Sequence, residues 1–177
     1  MSYEIAIVGT GPAGCMTACQ LKKEFSITLF DISSPLKTLL PTGGGKCNLA
    51  HAEYDFRELA KNYPRGEKFL YSAFSKFGTP ETIDFLKKID IETYTREDDR
   101  IFPKSNSSKD VREKILAQLH HCKFKKEEVL AIKKIENGFE LKTNKASYLF
   151  DYVIVATGGK HGYKLLSELG HKFEQPC

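Results

Sequence analysis

The order of apolar and polar positions divides the chain into elements. Tyr3–Val8 reads YEIAIV, a short apolar run rich in β-branched residues and bounded by Gly9, and predicts a buried strand. Residues 12–24 carry Ala13, Met16, Ala18 and Leu21 ahead of Lys22, Lys23 and Glu24, the pattern of a helix, and Ser26–Phe30 (SITLF) predicts a second strand. Helical patterns follow over 55–63, 67–77 and 79–89. The last is opened by Thr79 as N-cap, Pro80 at the first helical position and Glu81 in the first turn. Ile91–Thr95 and Arg100–Phe102 predict short strands. Ser107 and Asp110 then cap a helix over 109–121, with Val111, Ile115, Leu116 and Leu119 along one face. From residue 123 the period changes to two. Val129–Glu136, an Asn137-Gly138 turn, Phe139–Thr143, a turn at Asn144-Lys145 and a strand over 147–150 predict an antiparallel meander. Tyr152–Ala156 (YVIVA) is again continuously apolar, as in a strand covered on both faces, and 163–170 predicts a final helix.

This order predicts an α/β, Rossmann-like architecture: a parallel sheet, a meander on one face and a helical insertion over about 50–121. The length of 177 residues suits one domain, or one with an appendage. With 41% hydrophobic residues the chain has material for a core, which excludes a disordered tail. No apolar run approaches the ~18–20 residues that span a bilayer. Glu4, Gly9, Gly11 and Pro12 spoil a signal peptide, so the expected setting is cytoplasmic. The net charge of +4 arises in residues 58–135, where 17 basic groups face 13 acidic ones. Lys123, Lys125, Lys126, Lys133 and Lys134 are interleaved with Glu127 and Glu128. That reads as a solvated face, so neither a nucleic-acid nor a membrane partner is expected. The cysteines at 15, 19, 47, 122 and 177 form no C-x-x-C pair and predict reduced thiols, with Cys15 and Cys19 packed in the core. The five histidines show no metal-ligand spacing.

Chemistry concentrates at two glycine-rich segments. Gly9, Gly11 and Gly14 form a G-x-G-x-x-G between a buried strand and a helix, and Asp31 follows Gly9 by 22 residues at the end of the next strand. That context makes the motif a dinucleotide site. Gly9 permits a tight turn, Gly11 lets the backbone approach a pyrophosphate, and Gly14 lets helix and strand pack closely. Pro12 costs nothing at the first helical position, and the N–H groups that follow, from Ala13 on, meet the phosphates. Asp31 is placed to accept hydrogen bonds from ribose hydroxyls. The second segment, Thr42-Gly43-Gly44-Gly45-Lys46-Cys47-Asn48, is not a P-loop. It has Leu40 where the Walker pattern needs Gly, and Cys47 where it needs Ser or Thr. Three consecutive glycines let a backbone lie flat against phosphates or a planar ring, although a plain surface loop has the same composition. Cys47, beside Lys46, is a candidate for a lowered thiol pKa.

These residues resemble a known family: the BaiN/YhiN-like flavoproteins, FAD-dependent oxidoreductases of the glutathione reductase-like superfamily. The similarity is carried by IVGTGPAG at 7–14, LKTLLPTGGGKCNLAH at 36–51, RIFPKSNSSKDV at 100–111, DYVIVATGG at 151–159 and ELGH at 168–171, in the family's order. The resemblance implies FAD rather than NAD at the first motif, with Gly9, Gly11, Pro12, Ala13 and Gly14 at the pyrophosphate. It puts Asp31, usually Glu in the family, at the adenosine ribose. Thr42, Gly43, Gly44, Gly45, Lys46, Cys47 and Asn48 fall near the pyrophosphate and flavin, the main chain at about Val129 at the adenine, and Thr157 and Gly158 along the dinucleotide cleft. Thr42 and Lys46 replace the usual Ser and Arg, and only Lys160 and His161 stand where the family carries a longer loop. Family members continue into a substrate domain and a C-terminal segment that closes the flavin site, so the resemblance implies an N-terminal part of such an enzyme. The implied activity is hydride transfer among NAD(P)H as candidate donor, FAD, and an organic small-molecule acceptor or oxygen. The alternative is a non-catalytic dinucleotide-binding module completed by a partner chain.

Overall fold

A computed structural model of the chain describes residues 2–159 and 162–173. In chain order these form β1 (Glu4–Val8), α1 (Pro12–Gln20), β2 (Ser26–Asp31), two short 3-10 turns (Lys37–Leu39 and Thr42–Gly45) and β3 (Ala50–His51). Then come α2 (Phe56–Lys61), α3 (Glu67–Phe74), α4 (Thr79–Lys88), β4 (Thr93–Thr95), β5 (Arg100–Pro103) and α5 (Ser108–Ala117). The chain ends with β6 (Lys123–Lys126), β7 (Val129–Ile135), β8 (Gly138–Thr143), β9 (Ser147–Phe150), β10 (Tyr152–Val155) and α6 (Tyr163–Ser167). They fall into two compact units, residues 1–38 with 115–177, and 39–114.

The first unit is built on a parallel sheet of order β10-β1-β2-β6. In β1 and β2 the run of buried residues is unbroken from Ile5 to Val8 and from Ile27 to Phe30, because both faces are covered. Ala6, Val8 and Phe30 face one way, into a core completed by Ile132, Leu141, Phe150 and Leu165. This is the meander β7-β8-β9 closing on the sheet, aided by α6. By alternation Ile5, Ile7, Ile27 and Leu29 face the opposite side. Here α1 packs with Gly14, Cys15 and Ala18 buried, so close that a Cβ on Gly14 would lie 3.3 Å from Ile7 Cγ2. The unit thus has three layers: helix, parallel sheet, meander.

The second unit, Leu39–Lys114, has its own antiparallel sheet of order β3-β5-β4 beside α2, α3 and α4. The insertion is therefore mixed rather than purely helical. The α4 start follows the capping logic one residue earlier than expected. Gly78 is the N-cap, and the Glu81 carboxylate accepts from the Gly78 N–H at 2.8 Å. No helix among the described residues is long and apolar enough to cross a membrane.

Candidate functional site

In the first unit the C-terminal ends of all four parallel strands meet at one edge, where open α/β sheets bind ligands. Val8 pairs with Phe30 on one side and Val155 on the other, and Asp31 pairs with Lys126. The chain leaving each strand is tied to its neighbour: Gly9 N–H donates to Phe30 O at 2.8 Å, Ala156 N–H to Val8 O at 2.7 Å, and Glu127 N–H to Asp31 O at 2.9 Å. Four segments distant in sequence, around residues 9–14, 31–33, 127–129 and 156–158, thereby lie together at the C-terminal edge of the parallel sheet.

The three motif glycines are glycine for different reasons. Gly9 has φ of +107°, and a Cβ there would lie 2.4 Å from Ala156 O, so only glycine lets β1 turn against the end of β10. A Cβ on Gly14 would lie 2.0 Å from Gly9 O, which seats α1 directly on the turn. Gly11 differs from both. Its φ of −69° and ψ of −177° are open to any residue, and the nearest atom to a Cβ would be Thr38 Oγ1 at 3.9 Å. Nothing among the described residues requires glycine at 11. What a side chain there would fill is the open space before the α1 N-terminus. The first hydrogen bond of α1 is Cys15 N–H to Gly11 O at 3.0 Å, and Pro12 has no N–H. The N–H groups of Ala13 and Gly14 are therefore helix-end donors directed into that space, at the positive end of the helix dipole.

Asp31 ends β2 with its carboxylate turned onto its own chain. Oδ2 accepts from Thr10 N–H at 2.7 Å and Thr10 Oγ1 at 2.8 Å, and Oδ1 from Ser33 N–H and Oγ at 2.8 and 2.9 Å. Burial raises the Asp31 pKa and these four donors lower it. The net result lies below the ordinary carboxyl value. Thr10 and Ser33 were absent from the sequence expectations, although D-x-S is the spacing at which an aspartate accepts from the backbone two residues on. Beyond β6, Glu127 is a second fixed carboxylate. It accepts from Thr143 Oγ1 at 2.8 Å and from the Tyr148 hydroxyl at 3.0 Å, pinning the meander to the segment that follows β6. Burial raises its pKa, while these hydroxyls and nearby lysines bring it below the ordinary value. Val129 opens β7 and packs on the meander core. Thr157 is half-buried, and Gly158 is exposed with φ of +67°. Lys160 and His161 lie outside the described residues.

In the second unit, Gly43, Gly44 and Gly45 have φ of +57°, +65° and +85°, a run of left-handed backbone that only glycine adopts without strain. A Cβ on Gly43 would lie 2.7 Å from Phe102 Cε1, whereas at Gly44 and Gly45 it would meet nothing within 4 Å. Thr42 closes the turn, its Oγ1 donating to Leu39 O at 2.6 Å and its carbonyl accepting from Cys47 N–H at 3.0 Å. Lys46 and Asn48 are exposed. Cys47, a candidate for a lowered thiol pKa, is shifted the other way. Its side chain is fully buried, and burial outweighs the bond with Thr42 and pushes the thiol pKa up. Cys15 is also buried; Cys19, half-buried, has its pKa raised by burial and by Cys122 to about 11.

Residues 3–174 match the sequence model of the family described as HI0933-like protein Rossmann domain. Over 185 residues the chain is 28% identical to the 3-dehydro-bile acid delta(4,6)-reductase of Clostridium scindens, covering 94% of this chain and 44% of that protein. Over 182 residues it is 23% identical to the ribosomal RNA dihydrouridine synthase of Escherichia coli, covering 95% of this chain and 44% of that one. The chain thus spans less than half the length of either relative. Among solved structures, THI4 of Thermovibrio ammonificans shares the fold at a TM-score of 0.57 and 13% identity, over 97% of this chain and 64% of that one.

Proposed function

The chain belongs to the HI0933-like family of Rossmann-domain proteins, and from that premise we propose that it is the FAD-binding part of a flavoprotein oxidoreductase. The observation that carries the reading is Gly11, a glycine that neither conformation nor packing demands, facing open space at a helix N-terminus. A pyrophosphate fits there. The N–H groups of Ala13 and Gly14 donate to its oxygens, the α1 dipole favours its charge, and Pro12 presets the helix start. The Asp31 corner then faces the adenosine ribose, the main chain at Val129 the adenine, and Thr157 and Gly158 the rest of the dinucleotide. In the second unit the family resemblance supports cofactor contact by the main chain of Thr42–Asn48, where Gly44 and Gly45 have room for a flat ligand.

FAD supplies the electron chemistry when bound, and the protein binds, orients and tunes it. The parent reaction we infer is hydride transfer from NAD(P)H by way of FAD to an unsaturated or carbonyl compound, or to oxygen. The names of the two relatives, a reductase and a dihydrouridine synthase, both denote reduction and support an unsaturated acceptor. The test is the visible spectrum of the purified chain together with identification of the nucleotide it releases. A flavin band with FAD supports the reading. A colourless protein holding only ADP-like nucleotides supports the non-catalytic module instead.

A further inference from the structure

Asp31 stands where a ribose acceptor belongs, yet its carboxylate is already in use. A carboxylate offers about four lone-pair directions, and Thr10 and Ser33 fill four with bonds of 2.7 to 2.9 Å. Each hydroxyl has one proton, and both are committed to Asp31. Toward any other group Thr10 Oγ1 and Ser33 Oγ are acceptors only. Thr10, after β1, is buried at 2% exposure, whereas Ser33, two residues past the end of β2, is half-buried. The more accessible hydroxyl acceptor at this corner is therefore on Ser33, and its oxygen is strengthened by the charge behind it.

On the dinucleotide reading above, we propose that Ser33 Oγ, rather than the Asp31 carboxylate, accepts the adenosine ribose hydroxyl, with Asp31 the positioning residue that holds the Ser33 proton. Asp31 thereby ties the glycine turn, through Thr10, to the ribose contact, through Ser33.

The experiment compares ADP with 2′,3′-dideoxy-ADP on the 177-residue chain by calorimetry. Wild type is expected to prefer ADP by about tenfold, the worth of one charge-supported hydrogen bond. Ser33→Ala should shrink that preference to within about twofold by weakening ADP alone, the dideoxy nucleotide having no hydroxyl to lose. Asp31→Ala and Asp31→Asn should each reduce the preference in part, since the Ser33 hydroxyl can still accept but loses the charge that supports it. A change in folding alone would move both nucleotides together and leave the preference intact. The proposal is overturned if Ser33→Ala keeps the wild-type preference, or if wild type binds both nucleotides equally. A wild-type chain that binds neither overturns the dinucleotide reading itself, and this one with it. If the Asp31 variants do not fold, Ser33→Ala decides alone.

Discussion

Exchanging Gly11 and Gly14 separately for alanine distinguishes a glycine kept for a ligand from one kept for the fold. At Gly14 the new Cβ would sit 2.0 Å from Gly9 O, so α1 must move about an ångström off the turn. Overpacking against rigid backbone costs about 3 kcal/mol, which lowers the unfolding midpoint by roughly 6–12 °C in a domain of this size. At Gly11 the Cβ meets nothing nearer than 3.9 Å and the backbone is already extended. Alanine gains about 0.4–1 kcal/mol by restricting the unfolded chain and loses a similar amount as a poorer N-cap, so stability stays within about 0.5 kcal/mol. Binding behaves in the opposite way. The methyl keeps a phosphate from the N–H groups of Ala13 and Gly14, and losing two charge-assisted bonds of about 1.5 kcal/mol each lowers affinity about 100-fold. Thermal unfolding followed by circular dichroism, and FAD titration by fluorescence, give the two numbers. Gly11→Ala that binds FAD within about threefold of wild type would refute the reasoning. So would Gly11→Ala that unfolds as early as Gly14→Ala.

The other predictions concern the carboxylates and thiols around the two glycine segments. Because the Asp31 pKa lies below its unfolded value, its contribution is complete above about pH 4 and is lost as the pH falls through the folded value. Asp31→Asn should therefore flatten the acid limb of an unfolding-midpoint-against-pH curve, and an unchanged limb counts against the four-bond arrangement. Glu127→Gln replaces an acceptor facing two hydroxyls with a group that also donates, and should cost about 1–3 kcal/mol in urea unfolding. Iodoacetamide at about pH 8 should leave Cys15 and Cys47 unmodified in the native protein and label both in urea, read by peptide mass mapping. Rapid native labelling of Cys47 would contradict its burial.

The βαβ start was legible because each local signal agreed: an apolar run, glycines at fixed offsets, proline at the first helical position, and an acid at the end of β2. The meander was legible from its period of two and its Asn137-Gly138 turn. The strand β6 was not. Its sequence, KFKK, reads as solvated charge, and only backbone pairing with β2 at the sheet edge makes it a strand. Helix α1 ends at Gln20 rather than at residue 24, because Leu21 turns to extended backbone (ψ 151°). Asp31 showed the residue type of a ribose acceptor. The two bonds from Ser33 follow the local D-x-S spacing, but the two from Thr10 depend on a residue 21 positions away converging on it, which spacing along the chain does not display. Cys47 shows the same limit: Lys46 beside it suggested activation, and the backbone at φ of +68° turns the thiol into the interior.

On the proposed function, the C-terminal edge of the first unit's parallel sheet holds the ADP half of FAD. Competition among FAD, ADP and FMN for the purified chain tests it most directly. ADP should displace FAD and FMN should not, because on the proposed reading the contacts at Gly11, Ala13, Gly14 and the Asp31 corner would all be made by the ADP half. Displacement by FMN with no effect of ADP would contradict it.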